Sequence, residues 1–490
     1  RVLNLADYQR FLFEQAGHPA LVVSYRKQPP ARAEQRIEYW GPKADWTVTK
    51  AEVITIVPQD RTTITVGELL RDLDGPDAPQ IWKLRFWATQ RDWRLLDRLS
   101  AYPRLRDHVR QTREKASEKR WIIAQGFQPL GPGDTVEESK EIVVPSTAYV
   151  GAESEHFDLI LLPRDCEKLS STTVRVRGRS GIGGDIFRAP HVLVSRGFSR
   201  CAFAPFDVSF RSSVRGIHGP SEDRELLCFL AAYLRTPLAR YYLFHTSSNW
   251  GITRSEVQDE ELLRLPFLLP DRHPAPKRAR QIVGQVAKIV DDAASEADTD
   301  LVDRAGIVRI ASAKIAPLVE EYFDVLPLEK LLIADTVDVI IDSTRPTRSR
   351  PLVPTVMPAN ATTRQAYVDR VCEMLNGWAK GGRSVARGQA LGSETLGVGV
   401  AVFQKVERDQ AAEPMQPVSS NLLQVLDQVR KAIPRKHATL DIVRGVMVFD
   451  HNRLYVVKPI GQRFWTQTAA MNDADEIAGT ILMRSPREGA

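Results

Sequence analysis

The segment "ELLCFLAAYLRTPLARYYLFHTSSNWGITR", residues 225–254, decides how the middle of this chain is read. Ser221 is placed to cap a first helix, and Glu222, Asp223 and Glu225 set negative charge at the positive end of its dipole. Leu226, Leu227, Leu230, Tyr233 and Leu234 form its apolar stripe. Thr236 then caps a second helix with Pro237 at the first position, where a missing N–H costs nothing. That helix runs out at "SSNWGITR", and the turn has two readings. In one, Ser247, Ser248, Asn249 and the amides freed at Gly251 donate to phosphate oxygens, Trp250 stacks on a base or wedges against sugar, and Thr253 and Arg254 reach groove edges or phosphates. In the other, the turn is a plain helix exit with Trp250 in the core and Arg254 paired with Glu256.

Upstream, residues 129–220 are rich in Pro, Gly and Ser and hold short alternating runs: "EIVVP", "DLILLP", "TVRVRGR", "PHVLVSRG" and "FDVSFRSSVRGIHG". They predict short strands and loops. In "TTVRVRGRS" the alternation sets Val174 and Val176 on one face and Arg175, Arg177 and Arg179 on the other. Three arginines on one strand face repel one another unless an anion or an acidic partner lies opposite.

Residues 1–66 begin with the helical pattern "LADYQRFLFEQ", followed by the strand-like runs "HPALVVSYRKQ", "AEQRIEYW" and "AEVITIV". Residues 67–128 have helical spacing, with Trp82, Trp87, Trp93, Leu95, Leu96 and Leu99 on the buried side and many arginines elsewhere. Downstream, residues 273–342 predict long helices, and the proline-rich stretch 343–363 predicts a linker. Residues 364–490 predict a small α+β unit with "DHNR" as a hairpin turn and "NDADE" (472–476) as the cap and first turn of a helix. The fold class is α/β mixed (α+β), multidomain: 1–66, 67–128, 129–272, 273–342, the linker 343–363, and 364–490.

The totals agree with several domains, since 490 residues exceed what one core supports. With 43% hydrophobic and 26% charged residues the chain reads as an ordinary globular protein, and no apolar run is long enough to span a membrane. Cys166, Cys201, Cys228 and Cys372 are widely spaced with no CxxC pair, which predicts a reducing cytoplasm and no zinc site. A net charge of +6, from 67 Lys and Arg that lean to Arg, suits a polyanionic partner, because guanidinium groups bind phosphate and guanine bidentately. Arg1 in place of a methionine predicts a processed chain or one whose front lies upstream.

The common catalytic motifs are missing. There is no GxxxxGK[ST] loop, no HExxH, no GxSxG elbow and no Asn/Asp-Pro-Pro-Tyr/Phe. "SGIGGDIF" lacks the GxGxxG spacing and reads as a tight turn.

The ordered series "APHVLVSRG", "FAPFDVSFRSSVRGIHG", the helix pair quoted above and "EELLRLPFLLPD" resembles the target-recognition region of adenine-specific DNA methyltransferases of restriction–modification systems, especially type IIG-like enzymes. "LVEEYFDVLPLEKLLIADTVDVI" (318–340) resembles the helical spacer of that family, and "HPALVVSYRKQ" with "QRIEYW" resembles the closing hairpin of its methyltransferase domain. The resemblance covers about residues 1–342; residues 364–490 match no family. It implies a methyltransferase edge (1–66), a helical connector (67–128), a DNA target-recognition domain (129–272) and a spacer (273–342).

The family's S-adenosylmethionine and catalytic motifs match no position here. The resemblance therefore implies no catalytic residue, no metal and no cofactor bound by this chain, with S-adenosylmethionine expected in the missing catalytic part. The expected partners are double-stranded DNA, a methyltransferase catalytic domain lying upstream or on a separate chain, and other defence-system proteins. The candidate DNA contacts are Arg175, Arg177, Arg179, Arg196, Arg211, Arg215, Asn249, Trp250, Thr253 and Arg254. Two other readings stand beside this one: a DNA-processing nuclease, for which Lys405 and Glu407 offer part of a core, and a non-catalytic assembly subunit of a defence complex.

Overall fold

The computed structural model describes residues 1–484 except 14, 16, 46–53, 73–77, 112–118, 131–138, 179–183, 199, 253–255, 300–301, 348–349, 351, 409–421 and 433–445. The fold is mixed α/β with several sheets, in two compact units: residues 79–330, and residues 1–78 together with 331–490.

In the 79–330 unit a five-stranded sheet runs in the order Cys201–Ala204, His191–Ser195, Val214–His218, Trp121–Gln125, Val109–Gln111. Its pairs are antiparallel except the last, in which Val109 lies beside Trp121. His191–Ser195 is buried at every position, which is why "HVLVS" is nearly continuous in apolar residues. Two smaller sheets join it. Thr173–Arg177 pairs with Ser139–Val143, and Ala148–Val150 lies between Ser209–Phe210 and Glu167–Lys168. Phe127, Val176, Phe187, Leu193, Phe210 and Val214 fill their shared core. Gly126 is required where two strand ends meet, because a Cβ there would lie 2.0 Å from the Phe210 carbonyl oxygen.

The helices Arg224–Leu234 and Pro237–Thr246 form as their sequence dictates, with the Thr236 hydroxyl accepting from the Ala239 amide. Residues 227–234 are buried all round, not along a stripe, because this helix sits between the strand Cys201–Ala204 and the long helix Pro276–Ala297. Arg304–Tyr322 and Pro327–Asp335 complete the helical part.

The other unit contains two four-stranded sheets. One has the order Leu21–Val23, Val2–Asn4, Arg36–Trp40, Arg61–Thr65. The second is Ser384–Ser393, Val398–Glu407, Arg453–Pro459, Val446–Asp450, antiparallel throughout. Its period-two alternation divides two cores. Ala401, Phe403, Leu454 and Val456 pack with the helices Ala361–Trp378 and Gln467–Arg484, while Val400, Val402, Val448 and Tyr455 pack with Leu422–Ala432. The hairpin turn at "DHNR" is present, with His451 at φ 52°.

Several expectations fail for identifiable reasons. The strands Val109–Gln111 and Trp121–Gln125 lie inside the stretch read as a helical connector, so the strand-rich part begins before 129. "DLILLP" contributes one isolated bridge at Ile160 instead of a strand. Residues 54–57 of "AEVITIV" are not strand, and 51–53 lie outside the described residues. On the helix Ala78–Trp87 the buried positions are Lys83, Leu84 and Phe86, while Trp82 and Trp87 are half-buried, as is Trp93 on the next helix. "NDADE" sits inside Gln467–Arg484, because the helix starts five residues before Asn472 and Asp473 is recruited by Lys458 and the Tyr367 hydroxyl. The stretch 343–363 is not a loose linker: Val353 and Val356 are buried against Tyr8 and Ala44.

Candidate nucleic-acid interface

The strand ends of the 79–330 unit are stitched together by backbone hydrogen bonds. The Arg196 amide donates to the Ser213 carbonyl, Ser212 donates to Phe127, and Arg177 donates to Gln128. Phe127 donates back to Phe210, and Arg211 donates to Val150. This series brings residues 175–177, 196 and 211–213, far apart in sequence, onto one rim. The Val257 amide donates to Arg196, which joins the turn after Trp250 to the same rim.

Three arginines reach solvent there, each with a carboxylate beside it. Arg175 lies directly across the strand pair from Glu141, and their side chains are 3.2 Å apart. Arg211 meets Glu153 at 2.9 Å. Arg196 donates twice to one oxygen of Glu256, at 2.8 and 2.5 Å. The acidic partner that the alternation in "TVRVR" demanded is therefore Glu141. Glu153 is held below the usual carboxylate range by a hydrogen bond from its own backbone amide, with the Arg211 guanidinium adding to the effect.

Other candidates are placed elsewhere. Arg215 has 0% exposure and pairs with Asp259; burial pulls its guanidinium below its ordinary value, and Asp259 opposes that. The alternation that made Arg215 look like a surface residue fails because the Val214–His218 strand is covered on both faces. Trp250 is 5% exposed, with Phe198 and Phe244 around it at ring distances of 5.8 and 5.9 Å. Direct contact with DNA by either side chain does not fit this burial. Asn249 is half-buried, and Arg177 is half-buried at its strand end. Arg179, Thr253 and Arg254 lie outside the described residues, and so does the proposed Arg254–Glu256 pair.

The tryptophan turn is held by residues that sequence reasoning missed. One carboxylate oxygen of Glu261 accepts from both the amide and the hydroxyl of Ser248 at 2.6 Å, and the other accepts from Gln258 at 2.8 Å. From the helix Ala78–Trp87, the Lys83 ammonium donates to the Trp250 carbonyl and the Ser247 hydroxyl and lies 4.6 Å from the Phe244 ring. Burial holds Lys83 well below its ordinary value, with Glu261 opposing. Beside it, His245 is buried 4.0 Å from Asp92, which accepts from Tyr241 at 2.8 Å; burial pulls His245 down to about 4. The signal for Lys83 was a lone cation inside the apolar run "QIWKLRFW"; Glu261 carried none beyond its place at the third position of the short helix Asp259–Leu262.

The described part of "SGIGGDIF" is a 3-10 turn, Gly184–Phe187, that plugs Ile186 and Phe187 into the core. Among the described residues no group of three or more His, Cys, Asp or Glu side chains is arranged to hold a metal, and no helix is long and apolar enough to cross a membrane.

No family model matches the chain, and no curated protein matches it. Several solved structures are similar over part of it, and two illustrate the likeness. One is the HsdS subunit from Thermoanaerobacter tengcongensis, 12% identical over 57% of this chain and 66% of that one, with a TM-score of 0.19. The other comes from a study of complex assembly and conformational transition in the type I R-M system, 15% identical over 56% and 66%, with a TM-score of 0.18. The chain spans just under two thirds of each, and a likeness of this depth carries no weight for function.

Proposed function

We propose that residues 79–330 recognise double-stranded DNA sequence-specifically, for adenine-specific methylation in a restriction–modification or phage-defence system. The methyl donor and the catalytic motifs lie outside this chain. The observation that carries the reading is the convergence of Arg175, Arg196 and Arg211 on one rim through the backbone links at Ser213, Phe127 and Gln128. Guanidinium groups spaced along a rim neutralise successive phosphates, and loops between them present polar groups to base edges in the major groove. The ordered series in 190–270 that resembles a target-recognition region supports the same reading.

The test is duplex binding by the full chain, followed by fluorescence anisotropy on a 30-base-pair duplex. About three arginine–phosphate contacts predict a slope of log K against log salt of roughly −3. The chain alone, given S-adenosylmethionine, is expected to transfer no methyl group to adenine. Absence of duplex binding in dilute buffer overturns the proposal.

A further inference from the structure

The rim arginines are not presented bare. Arg175, Arg196 and Arg211 each face a carboxylate, Glu141, Glu256 and Glu153 respectively, contributed by a different segment of the same unit. Their side chains are 48%, 43% and 45% exposed, which leaves room for a phosphate to approach each of them. Glu141 and Glu153 are themselves more than half exposed, and neither is needed to neutralise a buried charge. Exposed pairs of this kind contribute little to stability. What each carboxylate does change is the local field a polyanion meets, because a phosphate has to displace it or accept it as a like-charged neighbour.

Resting on the reading above, we infer that Glu141, Glu153 and Glu256 restrain non-specific DNA binding: they shield the rim arginines, so that phosphate contact alone holds a duplex weakly and base contacts are needed for tight binding. Non-specific affinity comes almost wholly from phosphate neutralisation, whereas specific affinity adds base-edge contacts. Shielding weakens the phosphate term alike at every site, so it lowers binding to the large excess of wrong sequences while the ratio between right and wrong sites stays the same. Glu256 makes the tightest of the three pairs because it is 12% exposed and accepts both Arg196 donors on one oxygen.

The experiment compares the full chain with Glu141→Gln/Glu153→Gln/Glu256→Gln on a random-sequence 30-base-pair duplex across a salt series. A control variant, Asp271→Asn/Asp291→Asn/Glu321→Gln, makes the same charge change by freeing Arg280, Arg224 and Arg278 on the helical part. The rim variant is expected to bind about two- to five-fold more tightly per substitution. Thermal melting reports folding, and Glu141→Gln/Glu153→Gln keeps the test sound if loss of Glu256 unfolds the turn. Unchanged or weaker binding by a folded rim variant overturns the inference while the DNA reading stands. Equal tightening by the control reduces it to net charge and also overturns it. Silence from every form sinks both the inference and the function it rests on.

Discussion

Lys83 donates its ammonium to the backbone carbonyl of Trp250, reaching from a helix about 170 residues earlier in the chain to the turn that ends the helix Pro237–Thr246. The tryptophan ring fills the core above it, between Phe198 and Phe244. The turn is therefore a fixed part of the 79–330 unit, held by the buried Lys83 side chain.

Replacing that cation should loosen the turn selectively. Lys83→Met leaves the Trp250 carbonyl without its donor, and hydrogen exchange of the amides in 247–252 and 256–258 should accelerate while the central strands keep their protection. The sign of the pH effect also follows. The folded pKa of Lys83 lies below its unfolded value, so the native protein gains stability as pH rises toward 10.5; Lys83→Met should lack that gain in urea titrations at pH 7 and 10.

Arg215 and Asp259 form a pair whose arginine has no access to water. Arg215→Met strands Asp259, and since the aspartate is only partly exposed the cost should be roughly 3 kcal/mol in chemical denaturation. Arg215→Met/Asp259→Leu should recover most of it. A double variant as unstable as the sum of the singles would show that the two residues act independently.

His245 gives an acid sensitivity with a defined window. Its folded pKa of about 4 lies below the 6.5 of an unperturbed histidine, so its stabilising contribution is complete above pH 6.5 and is lost as pH falls to 4. At pH 5 the loss is about 2 kcal/mol. His245→Leu should flatten the difference between urea midpoints at pH 7 and pH 5 relative to the parent protein.

Duplex binding should separate rim from core. Arg175→Gln, Arg196→Gln and Arg211→Gln should each weaken binding to all sequences and reduce the salt slope by about 0.9, with melting temperature nearly unchanged. Trp250→Ala should lower the melting temperature strongly, because the ring is core. Anisotropy and calorimetry on the same preparations check both halves; a Trp250→Ala protein of normal stability and reduced DNA affinity would put the ring on the DNA.

How much was legible follows from where each signal is local. The Thr236–Pro237 helix start and the "DHNR" hairpin are set by residues a few positions apart, and both form as read. The Arg175–Glu141 pair was half legible: alternation required an acidic partner but could not name one across 34 residues. Arg215 and Trp250 misled because exposure is a tertiary property; a strand covered on both faces and a turn folded over Phe244 leave no trace in spacing. Val109–Gln111 and Trp121–Gln125 were lost among arginines and tryptophans whose spacing also suits helices, and the sheet that makes them strands is completed about 90 residues later.

One unit is assembled from both ends of the polypeptide, with Tyr8 and Ala44 buried against Val353 and Val356 and Asp60 paired with Arg463. On the ribosome, residues 1–78 emerge long before their complement. At about 5–20 residues per second, Arg463 follows Asp60 by roughly 20–80 s. The intervening unit has its own internal contacts and can fold in that interval, so the nascent chain carries a finished middle preceded by residues 1–78, whose packing partners are not yet made. Chaperone demand during synthesis should therefore fall on the first 78 residues.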